Sequence, residues 1–428
     1  MEALRGAFGR RSFANLTVLA TGWVLAGGAR TVTAALVASR VAGVRHHEAF
    51  HRFFSRAKWC PDEVGRLLFD RILGWLESAV LEVVLDDTLA AKKGPKVFGL
   101  GTHLDAVRST RRHRIFSFGH VWVVLAVRVK LPFSARPWAL PVLFRLYRNE
   151  KDCVARGDAY RKKTELAREM LDVLATWTDR RIHVLCDLAY CCDTVQRELR
   201  DQFVTFGTMR PDAVLTALPT AAERKATGRR RRRGAVLPKP EELARDPNVP
   251  WLPVEATLYG RRVVVQVKSM CAQWYQACGT KLLHVVVVRT DHGHVPWRAF
   301  FSADADASAV SVLETYAGRW AIEVTFRDLK QHLGFADSPA RLRLAVERVA
   351  PFVGLLFTSL ALWAAERAGA IVPPLRPWYT TKRGLSFEDI LYAARTELRI
   401  APVFDPARAS ENLPNCRTPR VLRRARAA

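Results

Sequence analysis

The sequence predicts an α/β protein carrying a helical N-terminal unit, and three observations lead there. Residues 1 to about 80 place apolar side chains at helical spacing; two later apolar runs of strand length each end in aspartate, with a charged helix between them; residues about 200 to 300 read mostly as strands. At 428 residues the chain is long enough for two or three structural units.

The elements follow in chain order. Leu16, Leu19, Ala20 and Trp23, then Val64, Leu67, Leu68, Ile72 and Trp75, mark helices of the first unit. Between them His46, His47, His51, Arg52, Arg56 and Lys58 interleave with Phe50, Phe53, Phe54 and Trp59. That mixture suits phosphates and bases, and equally a solvated helix face with its rings turned inward. From Leu81 the period changes to a strand, Leu81 to Asp87, and further strands are predicted at 115–118 and 121–129. A helix over 162–176 precedes a second strand from Arg181 to Asp187. Strands are predicted at 203–208, 261–268 and 282–289, and helix at 310–333 and 346–368. Ser386 with Asp389 three residues on predicts a capped helix over 386–398, and the tail from Arg417 is basic and without pattern. The division expected is a helical DNA-binding unit at 1–80, a core at 81–215 and 301–370 interrupted by a β-rich insertion at 216–300, and a helical segment with a basic tail at 371–428.

Composition narrows the function. Apolar residues are 49% and charged residues 25%, ordinary globular usage that excludes fibrous or wholly disordered chains. Lys plus Arg number 67 against 41 acidic residues, a net charge of +26 that favours a polyanionic partner, nucleic acid foremost. The most apolar stretch, 349–365, is short for a membrane span and contains Pro351, Gly354, Thr358 and Ser359, so a buried core helix is expected and no membrane partner. The first residues carry Arg5, Arg10 and Arg11 without a signal-peptide pattern, and cytoplasmic residence at the nucleoid is the expectation. Eight cysteines lie scattered without Cys-x-x-Cys spacing, which predicts reduced, mostly packed thiols rather than a zinc site. The run Arg229, Arg230, Arg231, Arg232 and Arg233 must repel itself into solvent; in so basic a chain, contact with phosphates is the preferred reading over a solubilising loop.

Two strand-end aspartates would sit at one edge of an α/β sheet, where sites form. Tyr316, Arg319, Glu323 and Lys330 are three, four and seven residues apart and share one helical stripe. A stripe facing a core should be apolar, whereas this one holds a phenol, a guanidinium, a carboxylate and an ammonium. By itself the pattern also describes a solvated face with an i,i+4 ion pair.

Tyr316-x2-Arg319-x3-Glu323-x6-Lys330 resembles the YREK signature of bacterial insertion-sequence DDE transposases, whose catalytic domain is RNase H-like with a β-rich insertion. Leu85-Asp86-Asp87-Thr88 and Leu185-Cys186-Asp187 are similar to that family's two Asp motifs, and the likeness spans roughly residues 80 to 370. The resemblance implies an RNase H-like mixed sheet with flanking helices. It implies Asp87, Asp187 and Glu323 as catalytic metal ligands, Asp87 being chosen over Asp86 because it stands next to Thr88. Strand alternation allows only one of that pair to face the site. It further implies that Tyr316, Arg319, Lys330 and Arg210 contact DNA. The comparable place of the family's base-stacking Trp falls near Leu283 and His284 here, so the resemblance names no such residue.

Those residue types suit phosphodiester chemistry. Negative charge grows on a phosphate that is already anionic, so the catalyst must supply cations. Hard carboxylate oxygens suit Mg²⁺, with Mn²⁺ as a substitute, in a two-ion site. The function expected is a cut-and-paste transposase that binds double-stranded DNA at its own terminal inverted repeats, cleaves it and joins the freed 3′-hydroxyl to a target, working as a homodimer. An RNase H-like nuclease without strand transfer, or an inactive transposase-derived DNA-binding protein, are the alternatives.

Overall fold

The computed structural model describes residues 1–400 apart from 95, 106, 111, 222–230, 290–295 and 379–383. Arg229, Arg230 and the basic tail therefore lie outside the described residues.

The first 73 residues form helices, as their periodicity predicts: a short 3-10 turn at Glu2–Ala7, then Arg10–Leu25, Val32–Ala38, Glu48–Ser55 and Pro61–Leu73. Local chemistry sets their starts. The Thr31 hydroxyl accepts the Ala34 N–H at 3.1 Å, and Pro61 occupies the first turn, where no N–H is needed. Their apolar faces do not close on themselves. Trp23, Phe53 and Phe54 pack edge-on around Phe352 of the helix Arg343–Glu366, and Arg348 of that helix donates to the carbonyls of Phe54 and Trp59. Among the described residues, Arg343–Glu366 is the one helix long and apolar enough to cross a membrane, and 83% of its most apolar stretch is buried inside the fold.

The sheet comprises β1 (Leu81–Ala91), β2 (Gly101–Leu104), β3 (Phe116–Val129), β4 (Trp138–Tyr147), β5 (Ile182–Cys186), β6 (Phe203–Met209), β7 (Leu215–Thr216), β8 (Val236–Leu237), β9 (Leu252–Leu258), β10 (Arg261–Gln273), β11 (Leu282–Arg289) and β12 (Trp297–Ser302). Its order is β2-β3-β1-β5-β6-β12-β11-β10-β7-β8, with β4 on β3 and β9 on β10. β1, β5 and β6 run parallel and every other pairing is antiparallel, so the sheet is mixed. The strands between 215 and 289 extend the same sheet, because β12 returns to pair with β6.

Three features differ from the sequence reading. The strands expected at 115–118 and 121–129 are one strand, β3, continuous through Gly119. A side chain there would strike the Ala90 carbonyl oxygen at 2.3 Å, so glycine permits close pairing with β1 instead of marking a break. β4 was not foreseen. Proline cannot donate to a ladder, but β4 is an edge strand, Pro137 precedes it, and Pro141 sits where its register with β3 shifts. The helix expected at 310–333 is two, Ala309–Ala317 and Trp320–His332, joined by Gly318 and Arg319. The backbone stays right-handed there but tightens, with Arg319 N–H on the Tyr316 carbonyl and Ala321 N–H on the Gly318 carbonyl.

Helix Trp320–His332 lies on β1 and β4, and helix Lys163–Leu174 lies on β3 and β4. The former ends at Gly334, whose φ of 61° suits glycine, with Phe335 N–H on the Leu329 carbonyl. Arg30 donates to the His332 carbonyl at 3.1 Å, a cation at the negative end of the helix, and Trp23 donates to the Leu333 carbonyl at 2.9 Å. The N-terminal helices thus hold the far end of the helix that carries Glu323.

Candidate active site

The sheet topology brings the two aspartate positions together, but only Asp187 stands at a strand end: β1 stays paired with β3 as far as Ala91, so Asp86 and Asp87 lie inside the strand and not at the end expected for them. β1 and β5 pair in parallel with Leu85 beside Cys186, so Asp86 and Asp187 are the next residues along both strands. Side chains of successive strand residues leave on opposite faces. Asp86 turns toward helix Trp320–His332, where its Oδ2 accepts Arg319 Nη1 at 2.6 Å; Arg319 Nη2 donates to Glu323 Oε1 at 2.5 Å. Asp87 turns the other way, its Oδ2 accepting Lys163 Nζ at 2.7 Å and its Oδ1 the Tyr190 hydroxyl at 2.8 Å. Of the adjacent pair, Asp86 is the one the fold brings to Glu323. Asp87, which the resemblance selects, meets Lys163 and Tyr190 instead, because β1 is regular through both residues.

Burial raises the electrostatic stakes. It is the main cause that pushes the Asp86 carboxyl up to about 7, with the charge of Asp187 adding to it and the Arg319 guanidinium opposing. Asp187 is likewise raised, chiefly by burial, while the Ala189 N–H on its Oδ1 pulls the other way. Arg319 shows the complement: burial works against its charge, but Asp86, Tyr316 and Glu323 hold its pKa above the ordinary value. Its Nε is buried without a hydrogen-bond partner.

The other residues singled out by sequence are spread around this core. Tyr316 bonds Arg319 and Thr208, and its ring lies 4.9 Å from that of Phe300. Lys330 is exposed two turns beyond Glu323, about 10 Å along the axis. Arg210 is exposed just past the end of β6 and paired with Asp212 at 2.8 Å. Arg231, Arg232 and Arg233 are exposed, Arg233 lying over the Tyr275 ring. Beside the helix junction, and not at the carboxylates, opens a cleft of about 720 Å³ whose walls include Arg128, Arg136, Trp320, Arg327 and Tyr259. Lys163, Tyr190 and Thr208 carry no sequence signal of their own, since each reaches the site only through the fold.

Residues 3–266, more than half of the chain, match the family described as DDE superfamily endonuclease. The chain belongs to the DDE superfamily endonucleases. In this DDE endonuclease both aspartate-bearing strands fall inside the matched residues, and Glu323 lies beyond them. No curated protein matches the sequence. Among solved structures the chain is similar to the piggyBac transposase in a synaptic complex with hairpin DNA, at 10% identity and a TM-score of 0.46, over 95% of this chain and 77% of that one.

DDE superfamily endonucleases usually use a divalent metal. Among the described residues no three His, Cys, Asp or Glu side chains are grouped to hold a metal ion as they stand. The donor set nonetheless fits one in kind. Asp86, Asp187 and Glu323 offer only hard oxygens, and one guanidinium already bridges two of them as a cation would. Burial, which raises the carboxyls of Asp86 and Asp187, disfavours their charged forms, and a cation held between them would favour ionisation.

Proposed function

We propose that the chain is an insertion-sequence transposase that binds double-stranded DNA at terminal inverted repeats, cleaves it and transfers the 3′-hydroxyl to a target, as a homodimer. The observation that carries this reading is the ion pairing of Asp86 with Arg319 and of Arg319 with Glu323, beside an Asp187 that follows the adjacent parallel strand and feels the Arg319 charge. The run β4-β3-β1-β5-β6, an antiparallel meander followed by two parallel strands, supports an RNase H-like core. Family membership supports phosphodiester cleavage, and the net charge of +26 supports a DNA partner.

In this reading Asp86, Asp187 and Glu323 hold Mg²⁺ or Mn²⁺, which when bound supplies the positive charge that phosphodiester cleavage demands. Arg319, hydrogen-bonded to Tyr316, orients a phosphate together with that phenol. Lys330, Arg210 and Arg231 to Arg233 add contacts along the DNA backbone, which position the duplex without reading its sequence.

The test is cleavage and joining of DNA ends taken from the sequence flanking the gene, in Mg²⁺ or Mn²⁺, with Glu323→Gln and Asp187→Asn as controls. Cleavage and joining by the wild type, lost in both variants with end binding kept, is expected. Metal-dependent cleavage that survives in both variants would refute the site. Cleavage without joining identifies a nuclease, and end binding without either reaction identifies an inactive DNA-binding protein.

A further inference from the structure

The Asp87 side of β1 holds a polar cluster that the proposed chemistry does not use. Asp187 stands one residue past the last pairs that β5 makes on either flank, Leu85 with Cys186 and Cys186 with Gly207. No strand ladder therefore fixes its carboxylate relative to Asp86, and side-chain contacts must do so. Tyr190, three residues after Asp187 and 1% exposed, donates its hydroxyl to Asp87 Oδ1 at 2.8 Å. Lys163 Nζ, from the first turn of its helix, takes Asp87 Oδ2 at 2.7 Å, so both oxygens of Asp87 are engaged. The Asp87 N–H in turn donates to Asp86 Oδ1 at 2.8 Å, and the Asp187 carbonyl accepts the Cys191 thiol at 3.1 Å.

We propose that Asp87 is a positioning residue: through Tyr190 it ties the loop bearing Asp187 to β1 and so sets the spacing of Asp86 and Asp187, without touching the cation itself. Lys163 balances the Asp87 charge, so the tie adds a fixed carboxylate beside the site with its own counter-ion. Removing a group of this kind loosens the ligands it orients and weakens metal affinity by about 10–100-fold. The inference rests on the reading of the carboxylates as a divalent-cation site.

Mn²⁺ binding to the full-length protein, followed by electron paramagnetic resonance, tests it alongside the Mn²⁺ dependence of DNA-end cleavage. Tyr190→Phe keeps the ring in its buried place and removes only the hydroxyl. It should weaken Mn²⁺ binding about 10–100-fold, with cleavage recovered at correspondingly higher Mn²⁺. Asp87→Asn should do the same, and the double variant should be no worse than Asp87→Asn alone. Asp86→Asn should not recover at any Mn²⁺ concentration. The inference is overturned if Tyr190→Phe binds Mn²⁺ as tightly as the wild type, or if Asp87→Asn never recovers while Asp86→Asn still cleaves. A wild type that binds no Mn²⁺ defeats the cation site itself and this inference with it, an outcome distinct from either of those.

Discussion

Arg319 spans two carboxylates, Asp86 at 2.6 Å and Glu323 at 2.5 Å, with its side chain 15% exposed. Removing one partner of a buried ion pair leaves an uncompensated charge and costs about 3–5 kcal/mol. Arg319→Ala should therefore lower the unfolding free energy from urea titration by that order, whereas Arg210→Ala, whose pair with Asp212 is exposed, should leave it nearly unchanged. His120 makes a second case. It is 3% exposed with Nε2 at 2.8 Å from the Phe98 carbonyl, and burial lowers its pKa from 6.5 to about 4. The folded state thus binds fewer protons than the unfolded one between those values. This contribution is complete above pH 6.5 and is lost as the pH falls toward 4. His120→Gln should flatten the decline in stability over that window, read as the difference in unfolding free energy between pH 7 and pH 4.5. An unchanged slope would refute the assignment. Of the partners of Arg319 and His120, only Glu323 could be named from local sequence, because its i,i+4 spacing pairs it with Arg319; Asp86 and the Phe98 carbonyl are brought up by the fold.

At the scale of elements, close approach of backbones is set by glycines. A side chain at Gly65 would fall 2.1 Å from the Val142 carbonyl oxygen, so helix Pro61–Leu73 rests directly on β4. Gly65→Ala should cost about 1–3 kcal/mol through overpacking. Gly27→Ala, with nothing within 4 Å, should be neutral, and equal melting temperatures for the two would contradict this packing. Elements with strong local signals were legible. The Ser386–Asp389 spacing does cap helix Phe387–Ile400, Ser386 N–H meeting Asp389 Oδ2 at 2.9 Å and Asp389 N–H the Ser386 hydroxyl at 3.4 Å. β4 was not legible because Pro137 stands just before it and Pro141 interrupts its pattern, and Pro141 is tolerated because the strand lies at an edge. The junction at Gly318 was hidden too. A side chain there would meet Arg128 Nε at 2.4 Å, and Arg128 pairs with Glu82 across β1 and β3, a long-range contact that periodicity does not register.

Over the whole molecule, the larger of two hydrophobic cores among the described residues runs from Leu4 through the sheet to Ala394, and a smaller one gathers Val204, Phe206, Val267 and Val286. If the exposed arginines 231–233 contact duplex phosphates, replacing all three with alanine should reduce the slope of log affinity against log salt by up to about 0.9 for each. An unaltered slope would remove them from the interface. The sequence by itself determined the α/β class, the helical first unit, the buried helix near residue 355, the basic balance, and the order of two aspartate-bearing strands followed by Arg319 and Glu323. These are properties of composition and of short-range period, which each segment carries alone. Only the tertiary structure decided which of Asp86 and Asp87 meets Glu323, that Lys163 and Tyr190 secure the other, and that β7 to β12 extend the central sheet. Strand alternation separates two neighbouring side chains but does not say which face the distant helix will cover. That is settled when helix Trp320–His332 packs on β1, more than two hundred residues away along the chain.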